Sequence, residues 1–201
     1  MLADLAVLYA TKMDNTYRKL FFEITRDKFI KEIKYLKDET TYKILWSFLK
    51  SNELTIDDKS QDWMTVKQAI IKRCKELSPK TMADILVLST QEVNTHSGDL
   101  FSSVESDLIL MMKAMSLEDL INLMWSALEI NRGSPLFYET LESELARRVR
   151  GIKDEQFEIL LACFAGDKSD HATEKFSKKF LNLVLKVVRD KKDRFNLKTL
   201  V

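Results

Sequence analysis

An internal repeat is the feature that most restricts how this chain can fold. Residues 42–49 (YKILWSFL) and 121–128 (INLMWSAL) share an aliphatic residue, Leu or Met, Trp and Ser in the same order. Repeats a few tens of residues long indicate stacked supersecondary units, because one unit cannot bury its own apolar face. The apolar spacing in both segments is that of a helix, so we expect stacked helical hairpins.

The repeat extends over the whole chain when the first helices are aligned on the residue two before the tryptophan. The aligned residues are 39, 41, 38 and 37 residues apart: Leu5, Ile44, Ile85, Leu123 and Leu160. Four of the five residues three positions upstream, on the same helical face, are also apolar. They are Leu2, Thr41, Met82, Leu120 and Phe157. The pattern predicts about five first helices.

The second helices repeat with the same phase. We number their residues backwards from one aligned residue near the end of each second helix, which we call its terminal position. The terminal positions are Leu36, Leu77, Met115 and Ile152, with Phe195 as the fifth. Seven residues earlier stand Phe29, Ile70, Leu108 and Leu145, and eleven residues earlier Thr25, Val66, Val104 and Leu141. In the last unit Phe180, Val184 and Val188 continue the pattern. This spacing predicts a buried stripe on each second helix.

Composition and helix-start signals agree with an all-α fold. The chain of 201 residues has only four Gly and two Pro, too few turn residues for many short strands. Ser78 before Pro79 and the capping-box spacing from Ser116 mark helix starts. We predict one α-solenoid domain over residues 1–201, with helix-turn-helix repeats of 37–41 residues at 1–36, 37–77, 78–115, 116–152 and 153–195 and a tail at 196–201.

Charge and cysteine content exclude several classes of protein. The net charge is +1, so no global field recruits nucleic acid or an anionic membrane. Cys74 and Cys163 fall in apolar helical stretches, which favours a reducing compartment and core positions. No apolar run has the length of a membrane span. The start shows neither a signal peptide nor a presequence, so we expect either that no targeting segment exists or that it has been removed.

The spacing and the Leu-Trp-Ser and Leu-Met-Trp-Ser-Ala-Leu first helices resemble the octotricopeptide and FASTK-like (heptatricopeptide) repeats of mitochondria and chloroplasts. The 34-residue tetratricopeptide period and the ankyrin signature do not fit, whereas HEAT-like repeats stay possible. The resemblance implies a mitochondrial protein that binds or processes RNA, or a structural subunit of a mitochondrial assembly. The nuclease-like RAP domain that often follows such repeats is not in the sequence.

A basic ladder emerges from the aligned second helices, two residues before the terminal positions. It consists of Lys34, Lys75, Lys113 and Arg150, while the fifth unit has Asp193. Three further cations, Lys31, Lys72 and Arg147, extend it. Stacked helices lie roughly 8–10 Å apart, so such a ladder could follow a phosphate backbone. The alternative is that cations in a last helical turn complement the helix dipole without any ligand.

An apolar end is the second candidate surface. Leu2, Leu5 and Leu8 fall at one end of the predicted stack, where we expect another chain or a missing segment. We interpret Trp46 and Trp125 as core residues. The sequence shows no catalytic motif, no metal-ligand spacing, no cofactor site and no evident small-molecule substrate.

Two functions therefore follow as hypotheses. The first is a non-catalytic scaffold that holds together the protein subunits of a mitochondrial assembly. The alternative is an organellar RNA-binding factor, or a mitoribosome subunit, that contacts RNA through the basic ladder.

Overall fold

The computed structural model describes residues 2–51, 60–91, 98–164 and 168–191. These residues contain helices and no strand, so the predicted all-α class is confirmed. None of the described helices is long and apolar enough to cross a membrane. The helices are α1 (Leu2–Lys12), α2 (Asn15–Glu32), α3 (Asp38–Lys50), α4 (Gln61–Arg73), α5 (Pro79–Gln91), α6 (Gly98–Met111), α7 (Leu117–Glu129), α8 (Pro135–Arg148), α9 (Asp154–Ala162), α10 (Lys168–Lys175) and α11 (Lys178–Lys191), with short 3₁₀ helices at Ile33–Tyr35 and Val149–Gly151.

The chain divides into two compact units, Met1–Val104 and Glu105–Val201. In the first unit α1 packs on α3, α3 packs on α5, and α2 contacts α4. In the second unit α7 packs on α9, and α8 contacts α11. Within each unit, therefore, first helices contact first helices and second helices contact second helices.

The aligned apolar positions lie in the core of each unit, with exceptions at the two ends of the chain. Ile44, Ile85, Leu123 and Leu160 are buried, and so are Leu77, Met115 and Ile152. Leu5, Leu36 and Thr25 are exposed or half-buried in the first hairpin. In α11 the buried stripe is Phe180, Val184 and Val187, so Val187 replaces the predicted Val188. The predicted phase is therefore correct for the middle repeats and shifts in the last.

The two repeat tryptophans do not lie in the core, contrary to the prediction. Trp46 and Trp125 are half-buried, whereas the residues directly before and after each of them are buried. The fully buried tryptophan is Trp63 in α4. Its indole Nε1 is buried without a hydrogen-bond partner.

Local chemistry explains where several helices begin. The predicted capping box is confirmed at α7, where the Ser116 Oγ accepts a hydrogen bond from the Asp119 N–H at 3.1 Å. The Asp119 carboxylate accepts the Ser116 N–H in return, also at 3.1 Å. Before α8, Gly133 adopts φ +117°, and an added Cβ would lie 2.7 Å from the Tyr138 ring. Glycine is therefore required at this turn.

The fifth hairpin departs from a simple helix pair. The polar run at residues 166–170 (GDKSD) predicts a turn, but α10 begins at Lys168 and packs against α7. Its His171 Nδ1 lies 3.4 Å from the Leu128 carbonyl oxygen. Ser177 then caps α11, as Ser134 caps α8, and both serines stand eighteen residues before a terminal position. The second helix of this hairpin is thus α11, and α10 is an insertion before it.

In three hairpins the residue ten before the terminal position contacts the start of the next second helix, through an ion pair in one case and through a hydrogen bond from a capping serine in two. Ten residues before three of the terminal positions stand Arg26, Glu105 and Glu142. Arg26 pairs with Asp62 in the first turn of α4. Glu105 accepts the Ser134 N–H at 2.8 Å, and Glu142 accepts the Ser177 N–H at 2.9 Å. Each contact fixes the start of one second helix to the middle of the preceding one.

Candidate functional site

The seven predicted ladder cations are all exposed. They are divided between the two units, with Lys31, Lys34, Lys72 and Lys75 in the first and Lys113, Arg147 and Arg150 in the second. Arg147 forms hydrogen bonds with the buried carboxylate of Glu144 at 3.1 and 3.2 Å. The continuous ladder that would join the two units stays a prediction.

In the first unit three of these cations line one groove, which we call the basic groove. Its volume is about 310 Å³, and it lies between the end of α2 and the outer side of α4. Ile30, Ile33 and Ala69 supply apolar lining. The polar lining residues are Lys31, Lys34, Thr65, Gln68, Lys72 and Arg73. Three exposed cations beside an apolar strip can attract an anionic or mixed partner.

A related groove occurs in the second unit at aligned positions. It has a volume of about 280 Å³ and is lined by Arg150, Leu183, Lys186, Val187 and Asp190. Arg150 is aligned with Lys34, and the four α11 residues are aligned with Thr65, Gln68, Ala69 and Lys72 of α4. Asp190 thus stands where the basic groove has Lys72, so the second groove is less positive. The two grooves therefore share aligned lining positions but differ in charge.

Two arginines that the sequence reasoning missed hold the ends of the preceding second helices; we call them the capping arginines. Arg73 donates to the carbonyl oxygens of Ile33 at 2.8 Å and Leu36 at 2.5 Å. Arg148 donates to the Met115 carbonyl and, at 3.1 Å, to the Lys113 carbonyl. Both arginines stand four residues before a terminal position. The sequence alignment therefore contained a signal for these residues, an arginine at the same position in the second and fourth repeats.

The capping arginines bear on the alternative explanation of the basic ladder, that its cations only complement the helix dipole. Helix-end carbonyls attract cations because they carry the negative end of the helix dipole. In both units it is a capping arginine of the next second helix, and not the ladder cation, that is seen to donate hydrogen bonds to these carbonyl oxygens. The side chain of Lys34 instead lies over the Tyr35 ring, with Nζ 4.9 Å from the ring centroid. Tyr35 is itself 77% exposed, so an aromatic face and a cation stand together beside the basic groove.

A second candidate surface lies on α1 and α2, and we call it the end face. It comprises five large apolar side chains that are 39% to 70% exposed: Leu5, Leu8, Tyr17, Leu20 and Ile24. Leu5 and Leu8 are two of the three residues predicted at an apolar end, and the side chain of Leu2 lies outside the described residues. The five residues line up at helical spacing, i and i+3 on α1 and i, i+3 and i+7 on α2.

An ion-pair cluster of one ammonium and two carboxylates joins α1 to α3. The Lys43 ammonium on α3 lies 2.7 Å from the Glu39 carboxylate and 3.3 Å from the Asp4 carboxylate of α1. Hydrogen bonds to Glu39 and Asp4 raise the pKa of Lys43 above its usual value. The described residues contain no cluster of three or more acidic, histidine or cysteine ligands that could hold a metal ion.

No protein-family model matches the chain, and no curated protein is similar to it in sequence. The resemblance to octotricopeptide and FASTK-like repeats therefore stays a prediction from the aligned residues.

Proposed function

We propose that this chain is a non-catalytic helical-repeat scaffold protein, an α-solenoid of about five hairpins that binds other protein subunits of a larger assembly. The observation that carries the proposal is the threefold contact from Arg26, Glu105 and Glu142 to the start of the next second helix. Contacts that recur at one aligned position are typical of stacked repeats, which bind through extended faces. A mitochondrial location follows from the family resemblance alone.

The end face supports a role in protein binding. Soluble proteins seldom expose several large apolar side chains in one patch unless the patch binds something. A first hairpin with an apolar outer face is therefore suited to a partner protein.

The scaffold proposal is tested by the size and composition of the native complex. The chain has a mass of 23.4 kDa, so a subunit of an assembly elutes from a native extract far ahead of that mass. We expect stoichiometric partner proteins by mass spectrometry, and an elution position that nuclease treatment leaves unchanged. Elution at the mass of the free chain, with no partner protein in stoichiometric amount, would refute the proposal.

RNA binding is the second candidate, and the basic groove favours it. Lys31, Lys34 and Lys72 line one groove, and the exposed Tyr35 offers a ring on which a base could stack. Each phosphate contact made by a cation adds about one to the slope of log affinity against log salt. In this case nuclease treatment should break the native complex.

A salt titration with charge-reversal variants tests the second candidate. Reversal at Lys34 and Lys72, and separately at Lys75 and Lys113, should weaken RNA binding and flatten the salt slope. Lys19→Glu is the matched control, because Lys19 is an exposed cation of α2, the helix that ends beside the groove, but does not line the groove. No measurable RNA affinity of the wild-type chain at low salt would exclude this function.

A further inference from the structure

The two α1 residues of the end face occupy positions that are covered in every other hairpin. The residues aligned with Leu5 are Ile44, Ile85, Leu123 and Leu160, and those aligned with Leu8 are Ser47, Leu88, Ser126 and Cys163. All eight aligned residues are at most 5% exposed. In the first unit, α1 packs on α3 and α3 packs on α5. In the first hairpin alone, this helix face has no helix packed against it among the described residues.

The side of α1 opposite the end face packs on α3. Ala3, Ala6 and Ala10 form a buried stripe, and α1 packs on α3. Leu5 and Leu8 lie about half a turn from that stripe and so point away from α3. Stacking of the Tyr9 and Phe21 rings, with centroids 4.3 Å apart, holds α1 against α2. The two helices therefore present one joint outer face.

The α2 part of the end face is apolar where the next two second helices are polar. Leu20 and Ile24 are aligned with Gln61 and Thr65 of α4, and with Asp99 and Ser103 of α6. Ile24 lies about 200° around α2 from the buried Phe22, so it cannot serve the core. The exposure of these side chains has no explanation in the packing of the first unit.

We propose that the end face binds the end face of a second copy of the chain, in a two-fold symmetric dimer. The inference rests on the proposed scaffold function and names one partner for it. At about 200 Å² for a large side chain, the five exposed fractions amount to roughly 500 Å² of apolar area per copy. Two copies then bury roughly 1,000 Å² of apolar area, and a polar rim brings the total into the range of stable dimers.

Shape and charge are also compatible with self-association. A two-fold axis brings leucines of one α1 against leucines of the other, which suits helix-on-helix packing. Helices α1 and α2 carry six basic and four acidic side chains, a net charge of +2 per copy, so the repulsion between two copies is small and is screened by salt. A helix supplied by a second copy would cover the exposed face of α1, as α1 covers the corresponding face of α3.

Sedimentation equilibrium of the full chain tests the dimer. We expect a dimer at tens of micromolar, and Leu8→Asp and Ile24→Asp should each weaken dimerisation by more than about tenfold, because an aspartate carboxylate would be buried unpaired. The matched control is Leu110→Asp, at a leucine of α6 that is 74% exposed and lies in the second unit. This control should dimerise like the wild type. Far-UV circular dichroism confirms that each variant is folded.

Cross-linking tests the geometry independently of affinity. The native Cys74 and Cys163 are buried, so a cysteine introduced by Leu8→Cys is the accessible thiol. On mild oxidation at low micromolar concentration Leu8→Cys should form a covalent dimer, and Leu110→Cys should form far less.

Two results would overturn the dimer: a wild-type chain that stays monomeric at several hundred micromolar, or equal cross-linking of the two cysteine variants. A monomer that still co-elutes with other proteins in native extract would leave the scaffold function standing. The two proposals can therefore fail separately.

Discussion

Replacement of Arg73 by alanine should destabilise the first unit more than any substitution at an exposed cation. The guanidinium binds the carbonyl oxygens of Ile33 and Leu36 and the Thr41 hydroxyl, the last at 3.2 Å. The Arg73 side chain is only 12% exposed, so its hydrogen bonds are largely shielded from water in the native protein. One hydrogen bond to a charged group contributes about 1.5–3 kcal/mol, and water that enters the truncated site recovers part of the loss. We expect a net loss of roughly 3 kcal/mol.

The measurement is urea unfolding followed by circular dichroism. With a slope of about 3 kcal/mol per molar urea, such a loss lowers the unfolding midpoint by about 1 M. Arg73→Lys should lose roughly half as much, because a single ammonium cannot reach both carbonyl groups in the same geometry. Lys72→Ala is the control from the adjacent exposed position, with an expected change within about 0.5 kcal/mol. Equal midpoints for Arg73→Ala and Lys72→Ala would refute the role of Arg73 as a helix cap.

Three further predictions concern the second unit. Gly133→Ala should lower the unfolding free energy by roughly 2–4 kcal/mol in the same urea assay, since φ is positive and the added Cβ would meet the Tyr138 ring; an unchanged midpoint would contradict this. Burial and the nearby Glu105 raise the pKa of Tyr138, so its neutral form stabilises the fold below pH 10 and this contribution is lost as the pH rises further. Tyr138→Phe should therefore flatten the fall in melting temperature above pH 10, and an alkaline profile identical to that of the wild type would show that Tyr138 does not cause this fall. Glu142→Ala removes acceptors for the Ser177 N–H and hydroxyl, at 2.9 and 2.5 Å, and should increase hydrogen exchange at the start of α11 with a loss of roughly 1–2 kcal/mol; unaltered exchange there would contradict the capping role.

The periodic part of the fold was predictable from the sequence because burial in stacked helices follows helical phase. Ile44, Leu123 and Leu145 are all buried as the alignment requires. The phase failed at Val188, where Val187 is buried instead, and this shift occurs in the hairpin that contains the inserted helix α10. Lys168–Lys175 is a polar helix with no apolar stripe, so periodicity gave no sign of it.

The candidate surfaces were predictable only in part. The cations of the basic ladder were found because they share one aligned position, but the groove depends on the three-dimensional separation of α2 and α4. Arg73 and Arg148 were overlooked because their position is arginine only in alternate repeats. On α2, Leu20 and Ile24 have the same chemistry as core residues, so only the structure distinguishes an exposed stripe from a buried one.

The contact ten residues before the terminal position also limits how such a chain could be rearranged. Arg26 needs a carboxylate at the start of the following helix, whereas Glu105 and Glu142 need an N–H or hydroxyl donor there. If the first and fourth hairpins were exchanged, Glu142 would meet Asp62 and two carboxylates would repel each other. The hairpins share one geometry but are not interchangeable parts, so their order along the chain is specified by side-chain chemistry as well as by the backbone that joins them.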